Sequence, residues 1–199
     1  KSTVIKIQDN FLCEENVLDD LYTFFHYAGS WQFDFFTDNY VWSKKHASAT
    51  EHKICQIIRK LTELDPRFAG KGYEVWVNAM DSDNHCLSHH IDCDEEAEGI
   101  EPAKATAVIH LGGDLLEGGE LVVDTGGYHS GYKFEGDIYR LQERAQAAGW
   151  LSIDYKPHRL IIFDSNYPHA VLPIKHNNPG TSRVSLMISS WDKKINVNR

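Results

Sequence analysis

Long apolar runs are missing from this sequence. No stretch approaches the roughly 20 consecutive apolar residues needed to cross a bilayer, so no membrane partner is expected. The opening KSTVIKIQDNF lacks the apolar core of a signal peptide. Cysteine is scarce: Cys13, Cys55, Cys86 and Cys93 are the four in 199 residues. That is sparse for a disulfide scaffold and reads as reduced thiols in a cytoplasmic protein. Basic residues are outnumbered, 20 Lys and Arg against 29 Asp and Glu, for a net charge of -9. Proteins that grip a duplex present a basic face to the phosphates, so nucleic acid is disfavoured as a partner. The same acidity favours a neutral or cationic substrate. Repeats, low-complexity tracts and Gly/Pro/Ser-rich linkers are also lacking, and 199 residues suffice for one substantial core but are cramped for two.

What is present changes period along the chain. Residues 3–8 (TVIKIQ) alternate like a strand. In ENVLDDLYTFFHYA, Val17, Leu18, Leu21, Phe24 and Phe25 fall at the offsets of one helix face. Thr50 to Leu64 repeats that pattern, with Thr50 as a candidate cap and Pro66 past its end. From Tyr73 the period drops to 2 through EVWVNAM, residues 87–92, ATAVIHL, GELVVD, RLIIFD, HAVLPI and RVSLMISSW. Gly-Gly pairs at 112–113, 118–119 and 126–127 punctuate the series. Short strands with tight turns predict an antiparallel sandwich or barrel. One domain over 1–199 is expected: N-terminal helical support over 1–72 and a strand-built core over 73–191. A helical insertion at about 136–149 (GDIYRLQERAQAAG) interrupts that core.

The segment LSHHIDCDE carries the sharpest chemical signal. Residues two apart in a strand share a face, so His90 and Asp92 project together. An imidazole beside a carboxylate makes two legs of the 2-His-1-carboxylate facial triad of non-haem iron(II) oxygenases. His169, after Pro168 at the start of an apolar strand, offers the third leg. Three protein ligands on one face leave three adjacent positions for a bidentate oxo-acid and dioxygen. Arg183 follows 14 residues later and shares a strand face with Ser185. A guanidinium fork flanked by a hydroxyl suits a carboxylate, which is what anchoring the distal end of 2-oxoglutarate requires; a surface salt bridge is the plainer alternative.

These pieces together resemble the iron(II)/2-oxoglutarate-dependent dioxygenase superfamily, and within it the prolyl-4-hydroxylase-like branch. The resemblance rests on His90-Ile91-Asp92, ATAVIHL, Gly118-Gly119-Glu120-Leu121, the run PHRLIIFDSNYPHAV and Arg183-Val184-Ser185, in the family's order over residues 73–191. It implies a mostly β fold with flanking helices, a double-stranded β-helix (cupin-like jelly roll). It also implies Fe(II) held by His90, Asp92 and His169, and 2-oxoglutarate held by Arg183 with Ser185. O2 is the oxidant, and ascorbate is compatible with this chemistry. The implied reaction couples oxidative decarboxylation of 2-oxoglutarate to hydroxylation of an unactivated C–H bond. A carboxylate at Asp92 favours that outcome over halogenation, for which related enzymes carry a small residue there. Many prolyl hydroxylases have Lys where Arg183 stands. The tyrosine often found upstream of HxD is replaced by the strand of Trp76, Asn78 and Met80. These departures leave the substrate open among a free amino acid, a peptidyl residue and a small natural product, and no motif specifies an oligomeric state.

Other readings compete. His85, Cys86, His89, His90 and Cys93 crowd into nine residues, but Cys86 and Cys93 lack the paired spacing of structural zinc sites. His89 is expected to point away from His90, into another layer or to the surface; His110 can face either way. The aromatics Trp31, Phe33, Phe35, Phe36, Tyr40 and Trp42, with Asp34, Asp38 and Asn39, read as core and rim packing or as a substrate-facing loop. The acidic run from Asp92 to Glu101 reads as a solvated loop or a lid. A metal-dependent cupin enzyme that does not use 2-oxoglutarate, or a non-catalytic cupin-like binding module, remains the alternative to an oxygenase, because fold alone does not prove activity.

Overall fold

The structure is a computed structural model that describes residues 5–36, 48–80, 86–94, 101–113 and 116–193. Its elements run in chain order as follows. First come β1 (Lys6–Gln8), α1 (Val17–Ala28), β2 (Trp31–Phe36) and α2 (Ala49–Leu64). Next are β3 (Gly72–Met80), β4 (Leu87–His90), β5 (Cys93–Asp94), β6 (Glu101–Pro102) and β7 (Ala105–Gly112). Then follow β8 (Leu116–Gly118), β9 (Leu121–Val123), α3 (Ile138–Ala148) and β10 (Leu151–Ile153). The last are β11 (Leu160–Phe163), β12 (His169–Val171), β13 (Ile174–Asn177) and β14 (Arg183–Trp191).

Among the described residues, antiparallel pairing gives a major sheet in the order β1-β11-β7-β14-β3-β2 and a minor sheet in the order β10-β9-β12-β4. The pairs β13-β8 and β5-β6 stand beside them. This is the expected jelly roll, and its layers follow from strand alternation. On β14, Val184, Leu186 and Ile188 turn outward and join Leu18, Leu21, Phe25, Ile54, Ile57, Ile58 and Leu61 of α1 and α2 in one core. Each such aliphatic side chain contributes about 1.5–3 kcal/mol by leaving water. The opposite face turns toward the minor sheet, where Val108, Leu121, Val123, Ile161, Phe163, Val171 and Ile174 form a second core. α3 covers the outside of the minor sheet, with Leu141 packed on Val122, Ala170 and Leu172.

Local signals explain the boundaries. α2 begins two residues earlier than a Thr50 cap suggests, because Ser48 is the cap: its Oγ accepts the Glu51 N–H at 3.2 Å. α3 is capped by Asp137, which accepts from the Tyr139 N–H at 3.0 Å, and ends at Gly149 with φ +68°. The run HAVLPI is two strands, since Leu172 and Pro173 separate β12 from β13. The aromatic segment after α1 begins as a strand: WQFDFF alternates and pairs along β3 from Trp31↔Val77 to Phe36↔Gly72. Asp38, Asn39, Tyr40, Trp42 and His85 lie outside the described residues, as does most of the acidic run. No helix among the described residues is long and apolar enough to cross a membrane.

Candidate metal centre and the buried arginine

β4 and β12 are neighbours in the minor sheet, and their register places His90 directly across from His169. The two imidazoles meet with ring centroids 4.4 Å apart. Asp92 follows two residues after His90 and turns its carboxylate between them. His90 Nε2 stands 3.6 Å from Asp92 Oδ1, and His169 Nε2 stands 3.7 Å from Asp92 Oδ2. These gaps are too long for direct hydrogen bonds. Among the described residues, this trio is the group whose ligand atoms gather closely enough to share an ion, all within 4.8 Å of one another.

The polar surroundings suit that use. Both histidines bond the carbonyl two residues back: His90 Nδ1 to Ser88 O at 2.5 Å and His169 Nδ1 to Tyr167 O at 2.8 Å. Each carbonyl requires a proton on Nδ1, so in the neutral ring the Nε2 lone pair is the one left on the side of Asp92. His169 Nε2 is buried and has no hydrogen-bond partner, an orphan that a cation would satisfy. Burial pushes His169 down to about 4, so the ring is neutral and able to ligate at neutral pH. Burial alone would raise Asp92, but the adjacent His169 and His90 and the Thr106 hydroxyl outweigh it and hold the carboxyl well below the usual range. Thr106 Oγ1 donates to Asp92 Oδ2 at 2.6 Å and lies 2.8 Å from Ser165 Oγ, whose proton completes the chain. Two histidines and a carboxylate with bare Nε2 atoms fit a divalent first-row metal such as iron(II).

On the facing sheet lies a second constellation. Arg183 is fully buried at the start of β14. Its Nε donates to Gly119 O at 2.9 Å, its Nη1 donates to Ser185 Oγ at 3.0 Å, and its Cζ lies 5.0 Å from the Tyr155 ring centroid. Nη2 has no partner, and among the described residues no carboxylate pairs with this guanidinium. Burial pushes Arg183 down to about 10, which still leaves it cationic at neutral pH. The surface salt bridge considered for this residue is therefore not what the structure shows. The glycine pair before β9 makes the cradle: Gly119 has φ +71°, and a Cβ there would sit 3.1 Å from Arg183 Cδ.

The cross-strand row Asn78–Ser185–His110 lies beside Arg183 on the same inner face. His110 is buried, packs on Tyr155 with ring centroids 4.3 Å apart and planes tilted by 30°, and accepts the Lys156 N–H on Nδ1 at 3.2 Å. That bond places its proton on Nε2, which has no partner, as has Asn78 Nδ2. Arg183 Nη2, His110 Nε2–H and Asn78 Nδ2 are thus three unmet donors on Arg183 and on the two cross-strand neighbours of Ser185, a donor set that suits an anion with several acceptor oxygens. His110, Tyr155 and Thr106 were not legible as site residues in the sequence. The strand period put His110 and Thr106 on a shared face but could not say which way that face turned. Tyr155 lies outside every alternating run; its hydroxyl bonds Gly112 O and Val184 O across the β7–β14 bulge.

His89 points away from His90, Asp92 and His169, as expected, and is buried beneath the segment between β9 and β10. Its Nδ1 accepts the Glu135 N–H at 3.0 Å, and its Nε2 lies 3.2 Å from Tyr132 Oη. Burial pushes it down to about 4. Cys86 is exposed and Cys93 half-buried, and neither forms a disulfide among the described residues.

No family model matches this sequence, and no curated protein matches it. Solved structures do. The chain is similar to the viral collagen prolyl hydroxylase of Paramecium bursaria Chlorella virus-1, solved with 2-oxoglutarate: 19% identical, TM-score 0.52, over 95% of this chain and 97% of that one. A Trichoplax adhaerens prolyl hydroxylase, in complex with a hypoxia-inducible-factor peptide fragment, is 14% identical with TM-score 0.53, over 96% and 84%. HygX from Streptomyces hygroscopicus, with iron bound, is 9% identical with TM-score 0.50, over 96% and 83%. The chain has the jelly-roll fold of the prolyl hydroxylases and related 2-oxoglutarate/iron(II) oxygenases.

Proposed function

We propose that this protein is a non-haem Fe(II)/2-oxoglutarate-dependent dioxygenase that hydroxylates an unactivated C–H bond of an amino acid, a peptidyl residue or a small natural product. The observation that carries this reading is a fully buried Arg183, with no carboxylate bonded to it among the described residues, in the same jelly-roll interior as a His90–Asp92–His169 trio whose two Nε2 atoms face the Asp92 carboxylate. A metal-binding module would need the trio but not a buried cation. A salt bridge would need a carboxylate that the described chain does not supply.

In this reading His90, Asp92 and His169 hold the metal on one face, and their Nδ1–carbonyl bonds fix both rings in the ligating tautomer. Bound iron(II) supplies the dioxygen chemistry that couples decarboxylation of 2-oxoglutarate, to succinate and carbon dioxide, with insertion of one oxygen atom into substrate C–H. Arg183 takes the distal carboxylate through Nη2, and Ser185 holds the guanidinium from the side. His110 Nε2–H adds a neutral donor to the same carboxylate. Thr106 keeps Asp92 oriented and anionic. The interior wall excludes water around the oxo-acid.

The substrate side is the inner face of β2 and β3. A groove of about 290 Å³ runs along the β2–β3 pair, lined by Ser30, Trp31, Gln32, Trp76, Val77 and Asn78. Trp76 is 37% exposed there although its neighbours Val75 and Val77 are buried. An indole face between two amide side chains suits a peptidyl or amide-bearing small molecule. A compartment of reducing character, the cytoplasm, agrees with four cysteines, Cys13, Cys55, Cys86 and Cys93, that form no disulfide among the described residues.

The test is anaerobic addition of 2-oxoglutarate to iron(II)-loaded protein, followed by visible absorption. A charge-transfer band that is lost in His169→Ala and needs far more 2-oxoglutarate in Arg183→Met is expected. Metal binding with no band in the wild type would point to a cupin enzyme of another class, and no metal binding would point to a binding module. Succinate release over peptide and amino-acid panels would then identify the substrate.

A further inference from the structure

β4 carries His90, yet little of the sheet holds it. It lies at the edge of the minor sheet, is four residues long, and pairs with β12 through His90↔His169 and Leu87↔Val171, with a register shift between them. A ladder so short and irregular cannot by itself fix the spacing of two metal ligands. A second connection crosses the outside of β12. The Glu135 N–H donates to His89 Nδ1, which forces any ring proton of the neutral imidazole onto Nε2. Tyr132 Oη lies 3.2 Å from that Nε2 and donates to Asp124 Oδ2 at 2.7 Å, so the chain runs His89 Nε2–H to Tyr132 Oη–H to Asp124 with each group satisfied. Asp124 directly follows β9, the other neighbour of β12: Val123 pairs with His169, and the Asp124 N–H bonds Pro168 O at 2.8 Å. Around the chain, Phe134 and Trp150 pack on the His89 ring at 5.1 and 5.2 Å, and the Arg144 guanidinium lies 5.9 Å from the Tyr132 ring centroid while bonding Lys133 O.

We propose that His89 and Tyr132 are positioning residues of the metal centre: with Asp124 they strap β4 to the end of β9 across β12 and so set where His90 stands against His169. The proposal rests on the metal reading given above. The segment that forms the strap belongs to the stretch between β9 and β10, whose α3 covers the sheet's outer face. Its contribution to the site is geometric and reaches the ion through the backbone of His90.

Cobalt(II) serves as the probe, bound to metal-free protein, with affinity from titration and ligand geometry from the visible d–d bands. Tyr132→Phe deletes one oxygen and leaves the ring packing, and His89→Leu removes both ring nitrogens. Each should weaken cobalt binding about tenfold and change the band pattern, the size usual for groups that orient a ligand from behind. His89→Gln can still accept from Glu135 N–H and donate to Tyr132 Oη, and should recover most of the affinity. The double variant should be no weaker than the worse single variant, because both break one chain. Wild-type affinity and spectrum in folded Tyr132→Phe, with His169→Ala binding lost, would overturn the strap and leave the metal site standing. Unchanged cobalt binding in His169→Ala would overturn the metal reading and the strap with it. Should His89→Leu fail to fold, Tyr132→Phe decides alone.

Discussion

Replacing Arg183 by Met separates a cation kept for a ligand from one kept for the fold. The buried guanidinium is held at about 10, some 2.5 below its ordinary 12.5, which costs the metal- and ligand-free protein about 3 kcal/mol at neutral pH. Met at this position removes that cost. It also removes the hydrogen bonds to Gly119 O and Ser185 Oγ, worth about 1 kcal/mol net each, and part of the attraction to the Tyr155 ring. The terms nearly cancel, so Arg183→Met should unfold in urea within about 2 kcal/mol of wild type. Ligand response should differ sharply. A desolvated, hydrogen-bonded charge pair is worth about 2–5 kcal/mol, so 2-oxoglutarate should bind the variant roughly 30-fold to several thousand-fold more weakly. At 100 times its dissociation constant, 2-oxoglutarate with manganese(II) should stabilise the wild type by about 2.7 kcal/mol. Pyruvate supplies the control, since it keeps the oxo-acid end and lacks the distal carboxylate. Wild type should prefer 2-oxoglutarate over pyruvate strongly, and Arg183→Met should respond to both alike. A variant that loses more than about 4 kcal/mol while keeping the wild-type preference for 2-oxoglutarate would refute the reasoning and make Arg183 a structural cation.

Three further outcomes follow from neighbouring atoms. Gly119→Ala puts a Cβ about 3 Å from the Arg183 side chain on a backbone at φ +71°, and should cost about 1–3 kcal/mol in urea unfolding while weakening 2-oxoglutarate binding. Thr106→Val keeps the shape and removes the donor to Asp92 and the partner of Ser165; metal affinity by titration should fall about 10- to 100-fold with a smaller change in stability. His110 is held well below its ordinary value by burial and then by the Arg183 charge, so it is neutral in the folded chain while the unfolded chain takes up a proton near pH 6.5. Its contribution to stability is therefore present above about pH 6.5 and is lost as pH falls below it, by up to about 1.4 kcal/mol per pH unit. Urea midpoints between pH 7.5 and 5 should fall less steeply in His110→Gln than in wild type, and identical slopes would show that His110 does not carry this effect.

The fold was legible where periodicity and sheet position agreed. RVSLMISSW reads as one strand because its apolar residues face the helices at every second position, and β14 spans those nine residues. ATAVIHL reads as a strand for the same reason, although all of its residues are buried and so its inner and outer faces could not be told apart. That single ambiguity hid His110 and Thr106. Which face of β7 turned inward depends on its neighbours β11 and β14, and that is a tertiary fact. β2 stayed hidden because its alternation is carried by aromatics that serve equally well in a loop, and pairing with β3 decides between them. The trio of His90, Asp92 and His169 was legible because two of its members lie two residues apart, with His169 supplied by the strand after Pro168; the expected strand over 87–92 ends at His90, so Asp92 reaches His90 from just past β4 and not along it. The strap through His89, Tyr132 and Asp124 was not legible, since His89 lies 43 residues before Tyr132 in sequence and meets it only in the folded sheet. The tertiary contacts also explain why the two kinds of site residue differ in legibility. Ligands for an ion must share a face and so leave a period in the sequence, whereas the groups that orient them reach in from any element with a free polar tip.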